Sequence, residues 1–228
     1  MEKNSILDVI LRRSRRILSS EDKIRNLSII LFWGSIWGIL EATVGLFLHA
    51  FPFKIPTGSI MFPIGYYFMQ KSYKATNQLN SMFYTSAVAA SIKLVNLFSP
   101  VVPIIKVLNP AGCILLEGLG VVLVFKYVVK DEKSIKFIHA LTMSFLWRVG
   151  YYMMCLGIFV PLGMIKNSSI LNMSYVTEFF FRNAFINSIL IYLYSKVQYK
   201  NYKESTIKYN PLLSSSALIL AIIVTWIV

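Results

Sequence analysis

The stretch FPFKIPTGSIMFPIG, residues 51–65, decides the topology of the chain. It carries Pro52, Pro56, Gly58, Pro63 and Gly65 between two apolar segments. Proline lacks a backbone donor and clashes with the preceding turn of a helix. The stretch therefore reads as a short or broken membrane span, or as a re-entrant loop. If it spans, the N-terminal tail and inner loops hold 17 Lys and Arg, and the outer side holds only Lys54, Lys106 and Lys166. If it turns back, every later loop flips, and the count becomes 9 inside against 11 outside. The excess of Lys and Arg in cytoplasmic loops favours the spanning reading, with the N-terminus cytoplasmic and the C-terminus outside.

Composition sets the class. Of 228 residues, 56% are hydrophobic and 14% are charged, against roughly a quarter charged in soluble domains. Seven apolar segments fall at about 27–50, 56–70, 79–98, 104–129, 137–161, 171–195 and 212–228. Most have the roughly 20 residues that a spanning helix needs. The expected fold is all-α, a polytopic transmembrane helix bundle of six to seven spans in the cell (inner, cytoplasmic) membrane. It forms a single domain over 27–228, with 212–228 as an accessory seventh span. Residues 1–26 read as a cytoplasmic, basic amphipathic segment, with Arg12, Arg13, Arg15 and Arg16 between aliphatic residues at helical spacing. SSED, Ser19 to Asp22, offers a capping box for a new helix. The net charge of +13 sits mainly in the tail and short loops, so it reads as a topology signal and not as a nucleic-acid surface. Membrane lipids are the expected surroundings.

Six ionisable residues lie inside the spans: Glu41, Lys93, Glu117, Arg148, Glu178 and Arg182. Three acids balance three bases, as mutual pairing would require. Internal ion pairs that fix helix register are one reading. The other is a polar cavity facing outward, because the six occupy the middle and outer half of the expected bundle. Glu178 and Arg182, four apart, can pair along their own helix. Lys93 and Glu117 have no partner within theirs. Asn109, Cys113, Glu117 and Gly120 share one face of NPAGCILLEGLG. The site residues expected to bind substrate are Glu41, Lys93, Asn109, Glu117, Arg148, Glu178 and Arg182. On the first span, Gly34, Gly38 and Ala42 form a small-residue stripe, a surface for another helix of the bundle or for a partner subunit.

Much chemistry is excluded. The spans hold no Asp, no GxSG-type nucleophile motif and no Walker A sequence. His49 and His139 are expected at opposite membrane faces, and no Cys/His cluster suits zinc. Neither a catalytic residue nor a cofactor is indicated.

The stretches WGSIWGILEATVG, FPIGYYFM, AVAASIKL and NPAGCILLEGL, within roughly residues 27–197, together resemble the substrate-binding S component of energy-coupling factor transporters. The resemblance implies a membrane-embedded solute-binding subunit of a micronutrient (vitamin-like) importer. It implies a small-molecule solute, a transmembrane coupling subunit and ATPase subunits as partners, with Gly34, Gly38 and Ala42 docking the coupling subunit. The seventh segment departs from that family's six spans. Two other readings stand beside it: an intramembrane enzyme acting on a lipid or isoprenoid, and a structural membrane protein with internal ion pairs only.

Overall fold

A computed structural model describes residues 2–50, 58–129, 135–200 and 209–227. The side chains of residues 2–19, 46, 48–50, 169, 199 and 200 lie outside the described set, as do residues 51–57, 130–134 and 201–208. Among the described residues every regular element is helical. The order is α1 (Glu2–Ala50), α2 (Gly58–Thr76), α3 (Asn80–Leu94), α4 (Ile104–Tyr127), α5 (Phe137–Met154), two short helices α6 (Asn167–Ile170) and α7 (Met173–Thr177), α8 (Asn183–Lys200) and α9 (Pro211–Ile227). A 3₁₀ turn, Val95–Phe98, extends α3. Three segments are long and apolar enough to cross a membrane: Ser20–Gly45, Asn80–Phe98 and Ile104–Tyr127. Pro211–Ile227 is a shorter apolar helix.

Two expectations change. The capping box at Ser19 starts no new helix, because α1 runs unbroken through it. Residues 19–26 contain neither Gly nor Pro, and an established helix propagates through polar residues at little cost. At 1.5 Å per residue α1 is about 73 Å long, well beyond a hydrocarbon core of about 30 Å. The described part of the second apolar segment is not broken. Pro63 sits inside a continuous 19-residue helix.

Direction alternates along α1–α3 and again from α4 to α5. Gly34 and Gly38 of α1 meet Val88 and Ile92 of α3 in the same order, so these two run parallel. Trp33 packs against Phe68, and Trp37 lies on Gly65, so α2 runs back along α1. Gly112 meets Met154 and Gly120 meets Trp147, which sets α4 antiparallel to α5. α9 is tied to α1 by the Ser214 hydroxyl, which donates to the Ser28 carbonyl at 2.6 Å, and Trp33 Nε1 donates to the Tyr209 hydroxyl at 3.1 Å.

The packing has the character of a membrane bundle. The largest buried side chains include Trp37, Tyr66, Phe62, Met69 and Met143. Beside them many small hydroxyls are buried, among them Ser35, Thr85, Ser86, Ser144 and Ser188. Several satisfy themselves on the preceding turn: Ser35 donates to Leu31 O at 2.6 Å, Thr85 to Ser81 O at 2.7 Å and Ser188 to Ala184 O at 2.6 Å. Meanwhile Leu119, Leu193, Ile219, Ile223 and Phe185 are exposed. Small polar residues at helix contacts and large apolar ones outside suit a lipid solvent.

Candidate functional site

The site is built from Pro63 outward. A helical carbonyl normally accepts from the N–H four residues on, and Pro63 has none, so the Ser59 carbonyl lacks its intrahelical donor. Asn187 of α8 supplies one: its Nδ2 donates to Ser59 O at 2.8 Å and to Gly58 O at 3.3 Å. The same amide accepts from Arg148, whose Nη2 donates to Asn187 Oδ1. Arg148 Nη1 donates to the Ser144 carbonyl at 2.7 Å. The guanidinium lies 4.5 Å from the Trp147 ring centroid and 5.4 Å from that of Phe179, at cation–π range. Arg148, only 1% exposed, is thus held by α5, α8 and two aromatic faces. Its Nε is buried without a hydrogen-bond partner, as is Trp147 Nε1.

Glu117 of α4 is 4% exposed. Among the described residues it makes neither a hydrogen bond nor an ion pair, yet it is electrostatically coupled to Arg148 and to Glu41. Glu41, half-buried on α1, is in turn coupled to Lys93, half-buried on α3. Four helices therefore contribute four ionisable side chains, each within electrostatic reach of the next: Lys93, Glu41, Glu117 and Arg148. None of these four closes into an ion pair with another. The glycines of α4 make room for them. A Cβ on Gly118 would lie 1.9 Å from Ser86 Oγ, and one on Gly120 would lie 3.4 Å from Trp147 Cβ, so α4 approaches α3 and α5 closely on either side of Glu117.

The remaining expected residues divide. Asn109 accepts from Cys113 Sγ at 4.0 Å, and Cys113 is coupled to Glu117 and Arg148, which keeps that face of α4 beside the charges. Glu178 and Arg182 do not join them. They pair with each other at 3.2 Å across a π-helical turn, Glu178–Arg182, each with its side chain 54% exposed. Phe179, within that turn, is what reaches the site. It packs on Trp147, Tyr151 and Tyr175, and lies almost parallel to the Tyr175 ring at 5.6 Å. A second π-helical turn, Cys155–Phe159, ends α5 at the same corner; π-turns occur often at functional sites.

The small-residue stripe is taken up inside the bundle. A Cβ on Gly34 would lie 2.6 Å from Val88 Cβ, and one on Gly38 would lie 2.8 Å from Ile92 Cδ1. Ala42 is buried as well. α3 covers the face expected to receive a coupling subunit. Asn187, Ser144 and Phe179 were missed by the sequence reading. The signal for Asn187 was present in Pro63, whose missing N–H requires a donor from elsewhere. No group of His, Cys, Asp and Glu among the described residues is placed to hold a metal. The chain matches no protein-family model, no curated protein and no solved structure.

Proposed function

We propose that the chain is a membrane-embedded solute-binding subunit of an importer, and that Glu117 and Arg148 form the centre of its site. One observation carries this reading. Glu117 is a buried carboxyl group with no hydrogen-bond or ion-pair partner among the described residues, although a fixed guanidinium lies within its electrostatic reach. A buried carboxyl group without a hydrogen-bond partner costs about 1–3 kcal/mol, more when ionised. A polar solute with a donor for Glu117 and an acceptor for the unpaired Arg148 Nε and Trp147 Nε1 offsets that cost, and Phe179 and Trp147 supply apolar walls. Glu41 and Lys93 extend the polar path along α1 and α3. On this reading α1–α5, α8 and α9 all cross the membrane and the N-terminus is cytoplasmic, as the alternation along α1–α3 and α4–α5 and the loop charges favour.

A coupling subunit and ATPases belong to the same proposal, but their contact falls on a face other than Gly34, Gly38 and Ala42. A thermal-shift screen of the purified protein against vitamins and other small polar metabolites tests the reading. The expected result is a rise in Tm with one compound class, lost in Glu117→Gln. No response to any compound, together with no co-purifying ATPase, would overturn it.

A further inference from the structure

A groove of about 630 Å³ runs between α1, α3 and α9 and shares no lining residue with the Glu117–Arg148 set. Its walls are apolar, with Leu27 and Ile30 from α1, Tyr84 and Ile92 from α3, and Leu218 and Ile222 from α9. Polar groups gather at one end. Lys23 and Asn26 stand on α1, and the register that sets Gly34 against Val88 brings Gln78 level with them. Lys23 has no ion-pair partner among the described residues; the neighbouring Asp22 pairs instead with Arg25 at 3.8 Å. Asn26 Oδ1 is buried without a hydrogen-bond partner. Towards the other end Ser91 donates to its own Ala87 carbonyl at 2.8 Å, so it asks nothing of an occupant.

The geometry points to a lipid site in this groove, one that takes an acyl chain of an anionic phospholipid and holds its headgroup phosphate on Lys23. Charge complementarity selects the headgroup: the mouth offers the ammonium of exposed Lys23, without an ion-pair partner among the described residues. Dimensions select the chain. From Tyr84 to Val95 the α3 wall rises about 16 Å, and one leaflet of the hydrocarbon core is about 15 Å deep. The polar end lies where α1 and α3 begin their apolar runs, at Ser20 and Asn80, which is the headgroup level of a bilayer. A helix from a second copy, at least about 10 Å across, is too wide for a slot whose α1 and α3 walls already touch at Gly34 and Gly38.

The test is native mass spectrometry of the full chain released from vesicles of equal phosphatidylcholine and phosphatidylglycerol. The expected result is one retained phosphatidylglycerol per chain, favoured about fivefold over phosphatidylcholine, as one surface lysine provides. Lys23→Gln, an exposed change, removes the preference, and Ser91→Trp, which fills the groove, removes retention of both lipids. Equal retention of the two lipids by the parent protein would overturn the proposal. So would a preference that survives Lys23→Gln, or a lipid-free dimer that protects Tyr84, itself 52% exposed, from surface labelling. The site is independent of solute binding at Glu117.

Discussion

At the scale of single residues, Pro63, Asn187 and Arg148 form one chain of cause. The proline frees a carbonyl, the asparagine takes it, and the asparagine oxygen then fixes the arginine. Asn187→Leu leaves a buried carbonyl and part of a buried guanidinium unpaired. The expected cost is about 2 kcal/mol of stability, read as a lower Tm in detergent. Pro63→Ala restores an N–H for Ser59 O. The same Asn187→Leu change is therefore expected to cost about 1 kcal/mol less in the Pro63→Ala background, and a double-mutant cycle measures that difference. Additive effects would show that the Ser59 carbonyl is not what Asn187 satisfies. Arg148→Lys tests the other end. A lysine ammonium cannot reach Ser144 O and Asn187 Oδ1 in the same planar geometry, nor lie flat between Trp147 and Phe179. Loss of solute binding is expected even though charge is conserved, and binding at parental affinity would count against a role for the guanidinium shape.

At the scale of elements, close approach of α2 and α3 to α1 rests on three glycines whose neighbours differ in stiffness. Gly65 lies under the buried Trp37 ring, where a Cβ would come within 2.3 Å of Cζ2. Gly34 faces Val88 Cβ at 2.6 Å and Thr85 O at 2.9 Å, a β-branched side chain and a backbone atom with little freedom. Gly38 faces Ile92 Cδ1 at 2.8 Å, which can turn aside, with Cγ2 at 3.0 Å and Cβ at 3.2 Å less severely placed than the neighbours of Gly34. Substitution by alanine is therefore expected to destabilise in the order Gly65, Gly34, Gly38, within the range of about 1–3 kcal/mol typical of overpacking. Val88→Ala is expected to restore part of the loss in Gly34→Ala. Thermal unfolding of the isolated protein checks both. An isolated protein indifferent to Gly34→Ala would return the stripe to a partner subunit. Here the limits of sequence reading are plain. The stripe GxxxGxxxA marks a close helix contact, but spacing alone carries no information about which helix arrives. The start of α5 and both ends of α9 follow from apolar runs and were legible. The unbroken course of α1 was not, because a capping motif competes with the propagation of a helix already formed.

At the scale of the whole molecule, the distribution of polarity is what identifies a lipid environment: hydroxyls and amides inside, large aliphatic residues outside. The six ionisable residues in the spans were legible as unusual, but their partition was not. Glu178 and Arg182 share a helix and pair at the surface, as their spacing allows. Lys93, Glu41, Glu117 and Arg148 come from four helices, and only tertiary packing brings them together. The alternating helix directions give a topology prediction. Cysteines introduced singly at Asn77 and at Asn167 are expected to label from opposite sides of sealed vesicles, Asn77 from the cytoplasmic side and Asn167 from outside. Labelling of both from one side would refute the alternation.

The central claim, that Glu117 is kept for a solute and not for the fold, has a direct measurement. Replacing a buried, unpaired carboxylate by a residue of similar volume removes a desolvation cost, and stability gained at a binding site is commonly matched by function lost. Glu117→Leu should therefore raise Tm, or leave it unchanged, while abolishing retention of any small molecule in extracts of the purified protein analysed by mass spectrometry. A fall in Tm equivalent to several kcal/mol, with the same extracted compounds in both proteins, would contradict the account and make Glu117 a structural partner of Arg148.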